Sequence, residues 1–153
     1  MAYVPDMSSL AIKAARLLTG AHVAAYRASK GKVGGSMGGN PVCLLTTVGR
    51  VSGRQRTTPL MAFPQQDGAL VVVASNGGSD RPPSWYGNLR ANPEVHVQLG
   101  SQVRPMVART ATAPEKAEIW PRIIATAKNF AGYEKKTKRD IPLVILTPAG
   151  DGS

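Results

Sequence analysis

Three arginines surround a predicted tight turn near the end of the first third of the chain. The stretch LLTTVGRVSGRQRTTPL, residues 44–60, contains Arg50, Arg54 and Arg56 but no carboxylate. Its two glycines let backbone N–H groups approach a ligand closely. Guanidinium groups bind phosphate or carboxylate through paired, charge-assisted hydrogen bonds. The stretch is therefore predicted to hold an anion, and the alternative interpretation is a solvated basic hairpin turn.

A second segment of small residues follows a fully apolar run. Ser75-Asn76-Gly77-Gly78 comes directly after ALVVVA, where the chain leaves a predicted strand that is covered on both faces. It offers backbone donors without bulky side chains, and Trp85, Tyr86 and Asn88 follow shortly after it. If the two segments converge, the site has a basic end for an anionic tail and an aromatic end for a flat ring. Such a pocket suits a phosphorylated ring cofactor better than a nucleic-acid duplex, because aromatics are only 5% of the chain.

The net charge of the chain also favours an anionic partner. Its 153 residues include 19 Lys and Arg against 9 Asp and Glu, which gives a charge of +10. Composition alone leaves nucleic acid, an anionic membrane surface and a small polyanionic ligand open. No GxGxxG motif or P-loop is present, which disfavours a Rossmann or P-loop nucleotide site. Cys43 is interpreted as a buried filler, and His22 and His96 are too far apart to suggest a metal cluster, so no metal is expected.

The first predicted element is an amphipathic helix. It covers residues 8–29, follows a Ser8/Ser9 cap and ends before Gly31. Its predicted packed face consists of Leu10, Ala14, Leu17, Leu18, Ala21 and Ala25. We interpret it as a helix packed on the domain, and contact with a membrane surface is the alternative.

From residue 41 the periodicity becomes that of β-strands. Six strands are predicted, in PVCLLTTV, RTTPLMAF, ALVVVAS, EVHVQLG, QVRPMVART and IPLVILTP. A short helix is predicted in RPPSWYGNLRANP, and a longer one begins at the capping box of Thr112 and Glu115 and is kinked or divided at Pro121. NFAGYEKKTKRD is predicted to be a basic loop or frayed helix, with Lys135, Lys136, Lys138 and Arg139 on a solvated face.

The pattern predicts one α+β domain, mostly β, built as a small antiparallel barrel with helical cover. Residues 1–40 form the N-terminal helix and a flexible Gly-rich loop, 41–148 the barrel, and 149–153 a tail. The N-terminus has no secretory signal pattern, and no run approaches the ~18 apolar residues of a membrane span. A cytoplasmic protein is expected, as a monomer or a homodimer.

Long motifs in these segments resemble a known family. PVCLLTTVGRVSGRQRTTPL, VVVASNGGSDRPPSWYGNLRANPEVHVQ and IPLVIL are similar to the deazaflavin-dependent nitroreductase family of actinobacteria, within the flavin/deazaflavin oxidoreductase superfamily. The resemblance covers residues 41–147 and implies a split antiparallel β-barrel of the FMN-binding type. It also implies an enzyme that transfers hydride from the reduced 8-hydroxy-5-deazaflavin coenzyme F-420 to a quinone-like, enone or nitroaromatic acceptor, such as menaquinone.

The resemblance assigns a role to each part of the predicted site. The phosphate and oligoglutamate tail would be held by Arg50, Val51, Ser52, Gly53, Arg54, Gln55 and Arg56. The approach of the ring would be lined by Leu44, Leu45 and Thr46. The ring and its ribityl chain would lie between two groups of residues, namely Val73, Ala74, Ser75, Asn76 and Gly77 on one side and Ser84, Trp85, Tyr86, Gly87 and Asn88 on the other. Asn76 stands where some members carry a lysine.

The resemblance also implies the acceptor side. Phe130 and Tyr133 would close it, and Met61 stands where some members have a pocket tyrosine. The predicted catalytic residues are Tyr133, as a hydrogen-bond or proton donor to the acceptor oxygen, and Ser75, as a hydrogen-bond partner of the ring or acceptor.

Two other functional classes stay open at this stage. A split barrel hosts several functions, so the chain could carry a deazaflavin, a lipid or haem without turnover. The charge of +10 also fits a nucleic-acid binder, whose affinity would fall steeply with salt. The basic N-terminal helix could rest on the anionic inner face of the cell membrane.

Overall fold

The fold begins with a long helix that ends in a defined cap. The computed structural model describes residues 7–149, with side chains from residue 17 onward, so almost all of the predicted tail lies outside it. Helix α1 spans Met7–Ser29 and thus begins before the predicted serine cap. At its end the Lys30 N–H donates to the Arg27 carbonyl at 3.3 Å and the Gly31 N–H to the Tyr26 carbonyl at 2.9 Å. With Lys30 at φ 55, these two bonds form a Schellman cap.

The packed face of α1 is not the predicted one. Val23 and Tyr26 are buried, whereas Leu17 and Leu18 are 77% and 73% exposed and Ala21 is exposed as well. The prediction was wrong because periodicity finds an apolar stripe but not the stripe that meets the sheet. Tyr26 decides the orientation, since its hydroxyl donates to the Val42 carbonyl at 2.7 Å. The side chains of Leu10 and Ala14 lie outside the described residues. Neither α1 nor any other described helix is long and apolar enough to cross a membrane.

The sheet has eight strands in the described part of the chain, two of them only two residues long. Their bounds are Ser36–Met37 (β1), Asn40–Val48 (β2), Gln55–Met61 (β3), Phe63–Pro64 (β4), Leu70–Val73 (β5), Glu94–Leu99 (β6), Gln102–Thr110 (β7) and Leu143–Pro148 (β8). The six longer strands fall where six were predicted. β1 lies in the segment that was predicted to be a flexible loop, and β2 takes up Asn40 from it.

All strand pairs are antiparallel, and the sheet curls into a split barrel. The strand order is β1-β2-β6-β7-β8-β5-β4, and β3 pairs with β2. The continuous segment β3–β4 pairs with β2 through its first part and with β5 through its last. One segment therefore bridges the two edges of the curled sheet, and the predicted split barrel is confirmed.

Strand β5 is buried on both faces, as its uniformly apolar sequence predicted. Leu70 and Val72 point into the barrel core with Leu45, whereas Val71 and Val73 pack in an outer core beneath the C-terminal helices. Burying four apolar side chains contributes roughly 1.5–3 kcal/mol each. Cys43 is also wholly buried, and desolvation raises the pKa of its thiol to about 12, which agrees with a core filler.

Three further helices cover the barrel. They are Ser84–Ala91 (α2), Ala113–Thr126 (α3) and Asn129–Lys136 (α4). The predicted capping box of α3 is present, and the Arg109 guanidinium, followed by the Thr112 N–H, lowers the pKa of the Glu115 carboxyl to about 2. α3 continues through Pro121 as one helix, with Ile119, Trp120 and Ile123 buried around it. Packing thus outweighs the local cost of an interior proline.

The antiparallel order sorts the connections to two ends of the barrel. The β2–β3 turn, the loop after β5, α2 and the α3–α4 region all leave the sheet at one end. The β6–β7 hairpin and the segment between β3 and β5 lie at the other, where the Tyr26 hydroxyl of α1 accepts from the Gly100 N–H at 2.8 Å. The two segments singled out in the sequence therefore lie at the same end.

Candidate functional site

The turn between β2 and β3 uses its own backbone to hold its shape. The Gly49 N–H donates to the Arg54 carbonyl at 2.8 Å, and the Gly53 N–H donates to the Gly49 carbonyl at 2.8 Å. The Arg54 N–H donates to the Ser52 hydroxyl oxygen at 3.2 Å. These amides are therefore not free for a ligand, contrary to the expectation from the glycines. What the turn presents to solvent is its side chains.

Arg50 connects this turn to helix α2. Its Nη1 donates to the Ser84 carbonyl and to Asn88 Oδ1, both at 3.0 Å, and its backbone N–H donates to the same Asn88 oxygen at 3.1 Å. A Cβ on Gly87 would lie 2.6 Å from Arg50 Nη1, so a larger residue here would displace the guanidinium from its present position on the helix. Arg50 is thus engaged with protein atoms before any ligand binds.

Arg50, Arg54 and Arg56 are all exposed, and the last two differ from Arg50 in their side-chain bonding. Within residues 17–149, neither side chain makes a hydrogen bond or an ion pair. The ion pairs in that range lie elsewhere and join Arg109 to Glu115, Lys116 to Asp140 and Arg122 to Glu118. Two adjacent guanidinium groups without a carboxylate form a local positive potential that suits a flexible polyanion.

The loop after β5 has an unusual backbone. Ser75 is right-handed at φ −81 and ψ −32, and it is followed by left-handed Asn76, Gly77 and Gly78 at φ 47, 65 and 82. A right-handed residue followed by a left-handed one turns successive N–H groups into one concavity, which attracts negative charge. Among the described residues, no acceptor pairs with the N–H groups of Ser75, Asn76 or Gly77. Asn76 suits this conformation, because asparagine tolerates it better than most residues do.

The C-terminal segment holds this loop in place from behind. Arg139 donates from Nη2 to the Ala74 and Ser75 carbonyls at 3.2 and 2.8 Å and from Nε to the Ser79 carbonyl at 2.9 Å. The Thr137 hydroxyl donates to Asp80 at 3.0 Å. The interpretation of Arg139 as part of a solvated charge run was therefore wrong. No local signal could have found this role, because the bonded carbonyls lie some 60 residues earlier in the chain.

The acceptor-side residues divide between surface and core. Tyr133 is half-buried, and its Cα would lie 3.0 Å from a Cβ on Gly78, so α4 and the loop after β5 are in backbone contact. Its hydroxyl has no hydrogen-bond partner within residues 17–149. Phe130 is buried in the outer core, with its ring centroid 6.1 Å from that of Phe63 and 5.8 Å from that of Tyr133. Met61 is half-buried at the edge of the same core.

Several residues that were predicted to contact the coenzyme are buried in the protein. The residues concerned are no more than 8% exposed and comprise Leu44, Leu45, Val73, Ala74, Ser75, Trp85, Tyr86 and Asn88. Trp85 and Tyr86 fill the barrel mouth, and the Tyr86 hydroxyl meets the Thr110 hydroxyl at 2.9 Å. The aromatic end expected from their spacing is thus turned inward, because an eight-residue helix over a barrel mouth places its large rings on the barrel.

Thr46 is half-buried, and its hydroxyl is hydrogen-bonded to that of Thr57 at 2.8 Å. α2 exposes Ser84 and partly exposes Gly87.

Two cavities lie away from these groups. One of about 400 Å³ lies on the other face of α2, beside Arg90, Lys116 and the rear of Arg139. The other, of about 210 Å³, is apolar and lies at the opposite end of the barrel, near Leu99 and Met106. Neither is lined by Arg54, Arg56 or Ser75. The exposed arginines and the open amides therefore lie outside both cavities.

The fold and the site together define a class of protein. A curled antiparallel sheet whose β3–β4 segment closes it, with covering helices, is the FMN-binding split-barrel type. No cluster of three or more potential metal ligands occurs within the residues that the structure describes.

Comparison with known proteins gives the family. The family model described as F420H(2)-dependent quinone reductase matches residues 18–148, so the chain belongs to that family. An F420H(2)-dependent quinone reductase of Mycobacterium tuberculosis is 35% identical over 130 residues, 82% of this chain and 87% of that protein. The resemblance recognised in the sequence is confirmed, and with it membership of a deazaflavin-dependent reductase family.

Two solved structures support the same assignment. One, an F420-H2 dependent reductase, has a TM-score of 0.63 and 40% identity and covers 69% of this chain and 93% of its own. The other is described as a domain-swapped dimer, with a TM-score of 0.64, 32% identity and coverage of 92% of this chain and 98% of its own.

Proposed function

We propose that this protein transfers hydride from reduced F420 to a quinone-like acceptor. The observation that carries the proposal is the pair of exposed arginines, Arg54 and Arg56, that have no protein partner in the described part of the chain. They stand at the same barrel end as the free amides of the loop after β5. A phosphate with a chain of glutamates is a flexible polyanion, and these two cations match it without competition from a carboxylate.

The loop after β5 would serve the ring. Its free N–H groups at Ser75, Asn76 and Gly77 present partial positive charge in a fixed arrangement, which suits a carbonyl-rich heterocycle edge. When bound, the reduced deazaflavin supplies the hydride. The chain's contribution is to orient that ring, to exclude water from one of its faces and to hold the loop rigid. Ser84 and Gly87 on α2 would lie on the other side of the ribityl chain.

Tyr133 is the residue that we propose for proton delivery. Its hydroxyl has no protein partner within the described side chains, and its backbone contacts the loop that would carry the ring. A hydrogen bond from this hydroxyl would stabilise the negative charge that develops on an acceptor oxygen. Ser75, at 6% exposure, is better placed to fix the loop than to meet a large acceptor. Phe130 and Met61 would shape the acceptor side through the core that supports Tyr133.

The name of the Mycobacterium tuberculosis relative supports a quinone as the acceptor. Menaquinone would require access to a membrane, and the exposed Leu17 and Leu18 of α1 would allow that helix to rest on the inner face while the protein stays cytoplasmic. Enones and nitroaromatics would be reduced by the same hydride chemistry, with Met61 rather than a tyrosine near them. The relative described as a domain-swapped dimer supports a homodimer for this chain.

Two measurements test the proposal. Fluorescence titration with F420 should show binding by the wild type and much weaker binding by the Arg54→Ala/Arg56→Ala double variant. Anaerobic stopped-flow with reduced F420 and menadione should then show acceptor-dependent oxidation of the coenzyme. Tight binding without oxidation by any quinone, enone or nitroaromatic would favour a carrier on the same fold. Absence of coenzyme binding by the wild type would remove the proposal.

A further inference from the structure

We propose that Arg139 is a positioning residue that couples the loop after β5 to the acceptor side of the site. The proposal rests on the proposed function, which places the coenzyme ring on that loop. Arg139 follows α4, the helix that carries Tyr133, and its guanidinium reaches back to the loop. One side chain therefore connects the segment expected to hold the ring with the segment expected to hold the acceptor.

The hydrogen bonds of Arg139 explain how it would act. Its guanidinium donates hydrogen bonds to carbonyl oxygens at both ends of the loop, those of Ala74 and Ser75 at the start and that of Ser79 at the end. The Ser75 carbonyl also accepts from the Gly78 N–H at 2.9 Å. With these carbonyls held at the back, the N–H groups of Asn76 and Gly77 stay without an acceptor among the residues that the structure describes. The loop is thus closed by one planar cation as well as by its own backbone.

The geometry requires the fork of an arginine. Three donors in one plane satisfy three carbonyls that are separated along the loop, whereas a lysine ammonium is a compact point charge on a flexible stem. Replacing Arg139 by lysine keeps the charge but cannot keep all three bonds in one arrangement. The neighbouring Lys138 is a matched control, because it is exposed and its side chain makes no hydrogen bond or ion pair within residues 17–149.

The test compares Arg139→Lys, Arg139→Gln and Lys138→Gln with the wild type. Without any coenzyme, we expect hydrogen exchange of the Gly78 and Ser79 amides to rise at least tenfold in both Arg139 variants, with no change in Lys138→Gln. With reduced F420 and menadione, we expect kcat to fall about tenfold in both Arg139 variants while KM for menadione changes less than twofold. The thermal midpoint of unfolding identifies any variant that fails to fold. If Arg139→Gln fails to fold, Arg139→Lys, which keeps the positive charge, still tests the proposal.

The outcomes separate this proposal from the proposed function. Unchanged exchange at Gly78 and Ser79 in Arg139→Lys would overturn the positioning role, whatever the activity. Faster exchange with wild-type kcat would show that Arg139 shapes the loop for stability alone and would equally overturn it. If the wild type itself neither binds nor oxidises reduced F420, the proposed function fails and the coupling to an acceptor fails with it, whereas the exchange result still reports the clamp.

Discussion

The two glycine-containing segments at the end of the barrel that carries the candidate site use arginine in opposite ways. In the β2–β3 turn the backbone is bonded internally, and Arg54 and Arg56 stand free of protein partners in the described part of the chain. In the loop after β5, Arg139 donates hydrogen bonds to carbonyl oxygens. The N–H groups of Ser75, Asn76 and Gly77 have no acceptor among the described residues. One segment presents exposed side-chain charge and the other presents backbone dipoles.

This difference suits two chemically different parts of one ligand. A glutamyl tail is flexible and carries several charges, so long side chains that can follow it are more useful than a rigid concavity. A heterocycle is rigid, so donors that are already in place bind it at a smaller entropic cost. Arg50 belongs to neither group, because its bonds to Ser84 and Asn88 hold the turn against α2.

The largest effect is expected from the free arginines of the turn. We predict that Arg54→Ala/Arg56→Ala weakens F420 binding about 100-fold at low salt, since the paired hydrogen bonds of a guanidinium to phosphate or carboxylate, unlike a single exposed ammonium contact, are worth about 1.4 kcal/mol, a factor of about ten. The affinity of the wild type should fall as salt rises, because exposed charges are screened. Fluorescence titration at two ionic strengths measures both effects.

The control for this prediction lies in the ligand as well as in the chain. A deazaflavin without phosphate and glutamates should bind the wild type and the double variant equally. Arg104→Ala, which removes an exposed arginine at the opposite end of the barrel, should leave F420 affinity unchanged. Equal losses for both forms of the ligand would mean that the turn contacts the ring, and the division of roles between the two segments would be wrong.

The second prediction concerns the rigidity of the loop after β5. Gly78 has φ 82, and an added Cβ would lie 3.0 Å from the Tyr133 backbone. We predict that Gly78→Ala lowers the free energy of unfolding by about 2 kcal/mol, with contributions from the left-handed backbone and from the clash with α4. Gly77→Ala meets nothing within 4 Å, so only the backbone cost of about 1 kcal/mol applies. Urea unfolding of both variants measures the difference, and equal losses would show that the contact with α4 is not needed.

The third prediction tests whether the acceptor side is separate from both coenzyme segments. Tyr133→Phe removes a hydroxyl that has no hydrogen-bond partner within residues 17–149 and keeps the ring that packs on Phe130. We expect kcat with menadione to fall about tenfold, which corresponds to one lost hydrogen bond of about 1.4 kcal/mol to the acceptor oxygen, with F420 affinity unchanged. A loss of coenzyme affinity with unchanged kcat would place Tyr133 on the coenzyme instead.

Sequence reasoning predicted the fold and the positions of the two segments but not how their arginines and backbone groups are bonded. Uniform apolarity identified β5, and turn chemistry identified both loops, because these signals are local. The engagement of Arg50 and Arg139 could not be predicted, since their partners are carbonyl and amide groups brought near only by the folded barrel. Likewise, the spacing of Trp85 and Tyr86 is compatible with either face of a short helix. The rotation of α1 was mispredicted for the same reason, because Tyr26 is fixed by partners at Val42 and Gly100.

The smallest effect is expected from Asn76→Lys, which adds a positive charge to the loop after β5. Its φ of 47 is tolerated by asparagine, whereas lysine in the same conformation costs about 1 kcal/mol of folding stability. Asn76→Lys also loses the side-chain bond to the Arg81 carbonyl at 3.0 Å. If the loop acts through its N–H groups, the new cation should raise the affinity for F420 only about threefold, a gain of about 0.6 kcal/mol typical of an exposed ion pair. Asn76→Gly is the control, with the backbone conformation retained and no gain in affinity. A gain comparable to the loss in Arg54→Ala/Arg56→Ala would show that both segments bind the tail through side-chain charge, and the contrast between them would disappear.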